Sequence, residues 1–334
     1  MATLGHTVLN LADISKTLDP NGSPAMIAEM LSQKIPVMQD MKWREGNLLH
    51  GHQVTIRTGL PTVYWRIVNR GVLPSASTSA QITESCGEAV TMGEMDKSVA
   101  ETGGNLAANR ANESKTHIMA MGQEVSSTIW YGNASVSPEE MNGIAVRYSS
   151  STANSADNLI LAGGAGSDNT SIYLINWGEN VFGIFPKGSQ AGLEHIPKDL
   201  ETIEDVNAVA GTRMLGYRDY FYWKAGLVVK DWRYAARAAN IDVSLLQGNS
   251  SPADLYDLMT FMTHRVEGLE EGDGTPVFYM NRTVAEMLDV QARDNVKTGG
   301  QLSYSVVEGK RILTFRGIPI KVTDSILDSE TLVA

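Results

Sequence analysis

His50-Gly51-His52 places two imidazoles two residues apart, so on an extended chain both face the same way and offer half of a metal site. Without a cysteine or a recognisable third ligand beside them, a surface turn is the better account. Asp199, Glu201, Glu204 and Asp205 could gather oxygen ligands around a hard cation, but their order does not follow an EF-hand loop and a solvated acidic loop is favoured. Gly163-Gly164-Ala165-Gly166-Ser167 has amides that could cradle a phosphate, yet no Lys-Ser/Thr follows and the G-x-G-x-x-G spacing fails. Ser114, Ser126 and Ser127 lack the Gly-x-Ser-x-Gly elbow, and the six histidines are dispersed. The residues therefore nominate no catalytic group, no cofactor and no metal, and they point away from an enzyme.

What must position any site is a chain of 334 residues, 43% hydrophobic, long enough for one large core or two smaller domains. Its 27 Lys and Arg against 38 Asp and Glu leave a formal charge of -11, which argues against a general phosphate-binding surface. Such a chain could enclose DNA without gripping it. Cys86 is the only cysteine, so no intrachain disulfide forms, which fits a reducing cytoplasm. Met1 to Lys16 does not read as a secretory leader, and no run approaches the ~18 apolar residues that span a bilayer.

From Met1 to Asp40, a polar turn at Asp19-Pro20-Asn21-Gly22-Ser23-Pro24 precedes an amphipathic run of Met26, Ile27, Met30 and Leu31. We read an arm with one small helix, lying on its own body or on a neighbour. Between Gly51 and Met95 the pattern has period two at Val54, Ile56 and Thr58, and Val63-Tyr64-Trp65-Arg66-Ile67-Val68 after Pro61 reads as a strand. The expectation is a long projecting hairpin with a polar loop at 75–80. Tyr64, Trp65 and open strand edges would then be exposed unless another chain, or the subunit's own body, covered them.

From Asp96 to Tyr131 the periodicity is helical, with Ile118, Met121, Val125 and Ile129 on one face. Gly103-Gly104 weakens the first turns, so the firm start falls near Asn105, and Gly132-Asn133 ends it. Residues 149–157 read as a loop. Strands are expected at 172–177 and 181–186, around the turn Gly178-Glu179-Asn180. A second pair is expected at 214–223 and 225–236, joined near Lys224, with Trp223 and Trp232 supplying buried area. Ser251-Pro252 should open a helix carrying Leu255, Leu258, Met259, Met262 and Val266, closed by Gly268.

The last sixty residues are the most distinctive. Val277-Phe278-Tyr279-Met280 is a strand, Asn281 caps a helix with Val284, Met287, Leu288 and Gln291 on one face, and Lys310–Phe315 turns at Arg316-Gly317 into Ile318–Val322. The Asn-Arg helix start and the Phe315-Arg316-Gly317-Ile318-Pro319-Ile320 hairpin resemble the C-terminal part of tailed-bacteriophage major capsid proteins. Collinear similarities to that family occur at Asn10–Asp13, Trp43–Leu48, Arg57–Val63, Gly166–Ile172, Trp177–Asn180, Gly183–Gly188 and Val229–Tyr234.

The resemblance implies an α+β chain with the Hong Kong 97 phage-type capsid fold, possibly with rearranged connectivity. Its segments would be an N-terminal arm at 1–45, a β-rich segment with an extended loop at 46–95, a spine-type helix at 96–132, an axial-type mixed domain at 133–250 and a peripheral-type segment at 251–334. It implies a virion protein that self-assembles through hexamers and pentamers into an icosahedral head around double-stranded DNA, held without sequence-specific binding and without a membrane. A separate scaffolding protein, a portal and a possible cement or decoration protein are its expected partners, and the host cytoplasm its place of assembly. Trp43, Arg57, Tyr64, Trp65, Arg66 and Arg70 are the candidate inter-subunit contacts, because aromatics and arginine dominate interface energetics. Some relatives cross-link a lysine of the extended loop to a neighbour; this chain has no lysine between Lys42 and Lys97, so a non-covalent shell is expected. The alternative is another self-associating virion protein, such as a tail tube subunit.

Overall fold

Asn105 begins the longest helix of the protein. Its side chain accepts from the Ala108 amide at 3.2 Å, and the glycines before it, at φ of 73° and 72°, turn the chain out of the preceding short helices. The helix runs Leu106–Tyr131, about 39 Å at 1.5 Å per residue, and stops where Gly132 packs against the Met141 carbonyl too closely for a side chain. Met121, Val125, Ile129 and Trp130 are buried, but Ile118, expected on the same face, is exposed. It lies beside the open cleft near His195 rather than over the core.

The computed structural model describes residues 33–204, 213–248, 252–269, 272, 274–294, 302–307 and 310–333, with backbone alone for 293–294, 302–307 and 310–312. The amphipathic run at Met26–Leu31 and the similarity at Asn10–Asp13 lie outside these residues. The helices are α1 (Val37–Asp40), α2 (Lys97–Ala100), α3 (Leu106–Tyr131), α4 (Ile144–Arg147), α5 (Val243–Gly248), α6 (Leu255–Arg265) and α7 (Arg282–Asp294).

Among the described residues two sheets flank the core. The first contains β1 (Trp43–Glu45), β2 (Gly51–Gly59), β3 (Thr78–Asp96), β6 (Val181–Phe185), β7 (Leu193–Glu204) and β8 (Arg213–Val229), in the order β1-β6-β8-β3-β2 with β7 also on β8. The second contains β4 (Leu159–Leu161), β5 (Asn169–Gly178), β9 (Ala235–Asp242), β10 (Gly274–Met280), β11 (Leu302–Val307), β12 (Lys310–Phe315) and β13 (Ile318–Val322), in the order β11-β12-β13-β10-β5-β9-β4. One apolar cluster joins α3 to both sheets through Trp130, Tyr173, Trp177, Phe221 and Tyr279. A second large cluster lies under α6 and α7 against the second sheet.

Several expectations change here. Residues 172–177 and 181–185 are strands, but they belong to different sheets and do not pair across the 178–180 turn. Met214 to Val229 is one strand, not two joined at Lys224. No turn former stands at that point, and β8 stays bonded throughout, to β3 as far as Gly226 and to β6 beyond it. Trp223 and Trp232 are only half-buried; Trp130 and Trp177 supply the buried indoles. The acidic run Asp199–Glu204 is strand β7, with a bulge between Lys198 and Glu201 and Ile203 buried; Asp205 is outside the described residues. Helix α6 is capped by Asp254, whose carboxylate accepts from Tyr256 and Asp257, and it ends at Val266, before Gly268. Val63–Val68 forms no strand. Among the described residues no strand lies beside it to take its backbone bonds, so the segment is an open loop.

The C-terminal elements match their sequence signatures. Asn281 Oδ1 accepts from the Val284 amide at 2.8 Å, and Arg316 and Gly317, at φ of 50° and 83°, make the tight turn between β12 and β13.

Candidate inter-subunit surface

Strand β3 is 19 residues long, about 60 Å, and no single partner covers it. Its second half pairs with β8 from Cys86 to Asp96, and its first half pairs only with β2, which leaves a two-stranded ribbon standing out from the body. The ribbon is pinned at its base. Asn47 bridges to Gln53 by two bonds of 2.7 and 2.8 Å, and Arg147 clasps Glu84 with bonds of 2.5 and 2.8 Å. At its far end the register shifts between Arg57 and Gly59, and residues 60–77 form the loop.

Every residue of this loop is exposed. Ser75 Oγ donates to the Thr62 carbonyl at 3.1 Å, and a turn at Val68-Asn69, with Asn69 at φ 71°, closes on the Arg70 amide donating to the Ile67 carbonyl at 3.2 Å. Trp65 is 103% exposed, Val63 87%, Leu60 79% and Val68 78%, with Leu73 and Ile67 close behind. Fully burying each such side chain is worth about 1.5–3 kcal/mol, so an apolar loop this dense carries a large driving force for being covered by another surface. No carboxylate lies between Glu45 and Glu84, while Arg57, Arg66 and Arg70 do, so the loop is also locally cationic on an acidic chain.

Five of the six candidate contacts fall on this ribbon: Arg57 on β2, and Tyr64, Trp65, Arg66 and Arg70 on the loop. Trp43 does not join them. It sits half-buried on β1 opposite Gly183, packs on the main core, and its Nε1 donates to the Met38 carbonyl at 3.5 Å. Leu60, Val63, Ile67, Val68 and Leu73 share this exposed surface, all but Leu60 lying in the apolar run between Pro61 and Pro74.

The motifs that invited chemistry are engaged elsewhere. His52 Nδ1 accepts from the Asn47 amide at 3.3 Å and its ring meets Phe182 edge-on; burial, then the nearby Lys230 charge, hold its pKa below the usual imidazole value. The glycine loop is tied to the second sheet by the Gly164 amide donating to the Asn240 carbonyl at 2.9 Å and by Asn169 Nδ2 donating to the Gly166 carbonyl at 2.5 Å. Ser126 Oγ lies 2.8 Å from Ser325 Oγ, inside the core.

A buried polar network ties β9 to the end of α3 and to α4, whose Arg147 holds the ribbon base. Arg237 pairs with Glu330 at 2.8 Å, donates to Ser171 Oγ at 3.1 Å and to the carbonyls of Ala145 and Tyr148 at 3.1 and 3.0 Å. Tyr131, the last residue of α3, donates to the other oxygen of Glu330 at 2.5 Å. The turns and coil of residues 323–333 are thus strapped across the helix end and β9.

The family profile of major capsid protein GP7 matches residues 19–334 of this chain. The chain belongs to that family. A protein in the solved structure of bacteriophage epsilon15 superposes with a TM-score of 0.81 at 31% identity, over 100% of this chain and 99% of that one. More distant likenesses are the capsid of bacteriophage JBD30, with a TM-score of 0.47 at 10% identity over 89% and 93% of the two chains, and the capsid of the native GTA particle, with 0.44 at 10% over 71% and 99%. No curated protein sequence matches. The α+β architecture is therefore that of the Hong Kong 97 phage-type capsid, and the major capsid protein is a structural component of the virion that self-associates into a shell, not an enzyme. The tail-tube alternative receives no support from these matches.

Proposed function

We propose that this major capsid protein builds an icosahedral head from hexamers and pentamers around the double-stranded DNA of a tailed bacteriophage. The observation that carries the reading is the ribbon loop, whose Trp65 and flanking apolar residues are exposed in the isolated subunit and need a neighbour to cover them. In this reading 1–45 is the arm, 46–95 carries the extended loop, the helix within 96–132 is the spine, 133–250 contributes the axial-type domain and 251–334 the peripheral-type one. Arg57, Tyr64, Trp65, Arg66 and Arg70 make subunit contacts, each modest, that accumulate over the lattice. Trp43 would act there only by supporting the base of the ribbon.

The shell is non-covalent, for want of a lysine on the loop, and its acidic balance gives at most weak, salt-sensitive contact with the DNA. A separate scaffolding protein and a portal complete the particle, which assembles in the bacterial cytoplasm. Cryo-electron microscopy of the protein expressed with and without its neighbouring genes tests this. Closed shells of hexamers and pentamers are expected; tubes, or a persistent monomer under both conditions, would overturn it.

A further inference from the structure

A groove of about 290 Å³ runs between α3 and strands β3 and β8. Its floor is apolar, formed by Val125, Met141, Trp223 and Ala225, and its rim is acidic, formed by Glu88, Glu124, Glu139 and Glu140. Lys224 stands 3.9 Å from Glu88, with both side chains well exposed, and the other three glutamates form no ion pair among the described residues. Carboxylates gathered at the edge of an apolar surface repel one another and favour a cation that brings apolar surface with it. Trp223 is half-buried and presents part of its indole to the groove.

The loop at 60–77 has the complementary chemistry. It carries Arg66 and Arg70 beside the exposed Trp65, it has no carboxylate of its own, and none of its residues lines the groove of its own subunit. We propose that this acidic groove is the seat for the loop of a second copy of the chain, Arg66 and Arg70 pairing with the glutamate rim while Trp65 covers the apolar floor. The inference rests on the capsid reading and specifies which surface of the neighbour the loop meets. It also accounts for a cationic loop on an acidic chain. Like-charged surfaces elsewhere repel, so the match selects this register of contact over others.

The test is charge reversal with restoration, read as shell yield by sedimentation and electron microscopy. Arg66→Glu with Arg70→Glu should lower yield at least tenfold, as should Glu139→Arg with Glu140→Arg, while circular dichroism shows each subunit folded. All four changes in one chain should recover most of the yield. As a second arm, Trp65→Cys with Glu139→Cys should give a ladder of disulfide-linked oligomers from assembled particles and none from unassembled subunits. Reversal variants that assemble like the wild type, or a ladder absent from intact shells, would overturn the proposal. Either result would leave the capsid reading standing, whereas wild-type protein that forms no shells under any condition would remove that reading instead.

Discussion

Arg237 and Glu330 are joined by a 2.8 Å salt bridge in which the side chains are only 4% and 3% exposed. They lie 93 residues apart in the chain, and the bridge ties the segment around Glu330 to β9 and the end of α3. The guanidinium also donates to the Ser171 hydroxyl and to the Ala145 and Tyr148 carbonyls.

Breaking such a pair from one side strands a charge in the core. Glu330→Ala should therefore destabilise the subunit by about 3–5 kcal/mol, whereas replacing both partners with apolar residues of similar volume should cost far less. Urea unfolding of the unassembled subunit distinguishes the two; equal losses would show that packing, not the stranded charge, sets the cost.

The Asn281 side chain both caps α7 and donates to Thr170 Oγ1 at 3.0 Å, tying the helix start to β5. Asn281→Ala should cost about 1–2 kcal/mol, and Asn281→Asp no less, since the cap acceptor survives but the new carboxylate faces Asp328, to which the Asn281 amide donates. Chemical denaturation of the two variants side by side measures the difference.

Half-buried Cys86 has its thiol pushed from an ordinary 9.0 up to about 11 by burial. Since the folded state then holds its proton more tightly than the unfolded one, the contribution of this group to stability falls as pH rises from about 9 to about 11. Below pH 9 the native thiol should carry about a hundredfold less thiolate than a free cysteine and resist alkylation accordingly. Alkylation rates on native and urea-unfolded protein between pH 7 and 10 check this, and a native rate equal to the unfolded one would refute it.

Trp65→Ala and Arg66→Ala should reduce particle yield and lower the temperature at which particles release DNA, while leaving the melting temperature of the lone subunit unchanged. Denaturing mass spectrometry of mature particles should show the subunit mass alone; species joined by isopeptide bonds would contradict a non-covalent shell.

Where local chemistry decides the structure, it was legible. The Asn105 cap, the Gly132 stop, the Asn281 cap and the Arg316-Gly317 turn each follow from residues within one turn of one another. Where distant partners decide, the pattern misled. Strand β8 is continuous because β3 and then β6 bond it through Gly226, and β7 holds its acidic residues as a strand beside β8, where Glu201 lies 3.2 Å from Arg218. The exposed surface of the loop was half visible. Trp65 and its arginines stood out as types, but that Val63–Val68 lacks any strand partner required the assembled sheet. The acidic groove was not visible at all, since Glu88, Glu124 and Glu139 come from three separate elements.

Strand β3 joins the loop directly to the body, and eleven residue pairs, from Cys86 with Gly226 to Asp96 with Gly216, hold it side by side with β8. A pull on the loop runs along these strands, so it loads that row of bonds in shear, all at once, instead of peeling them one by one. A head packed with DNA pushes its wall outward. In such a wall the ribbon would behave as a tether and not as a hinge, and the weakest link under pressure would be the grip of loop on neighbour rather than the fold of the subunit that offers it.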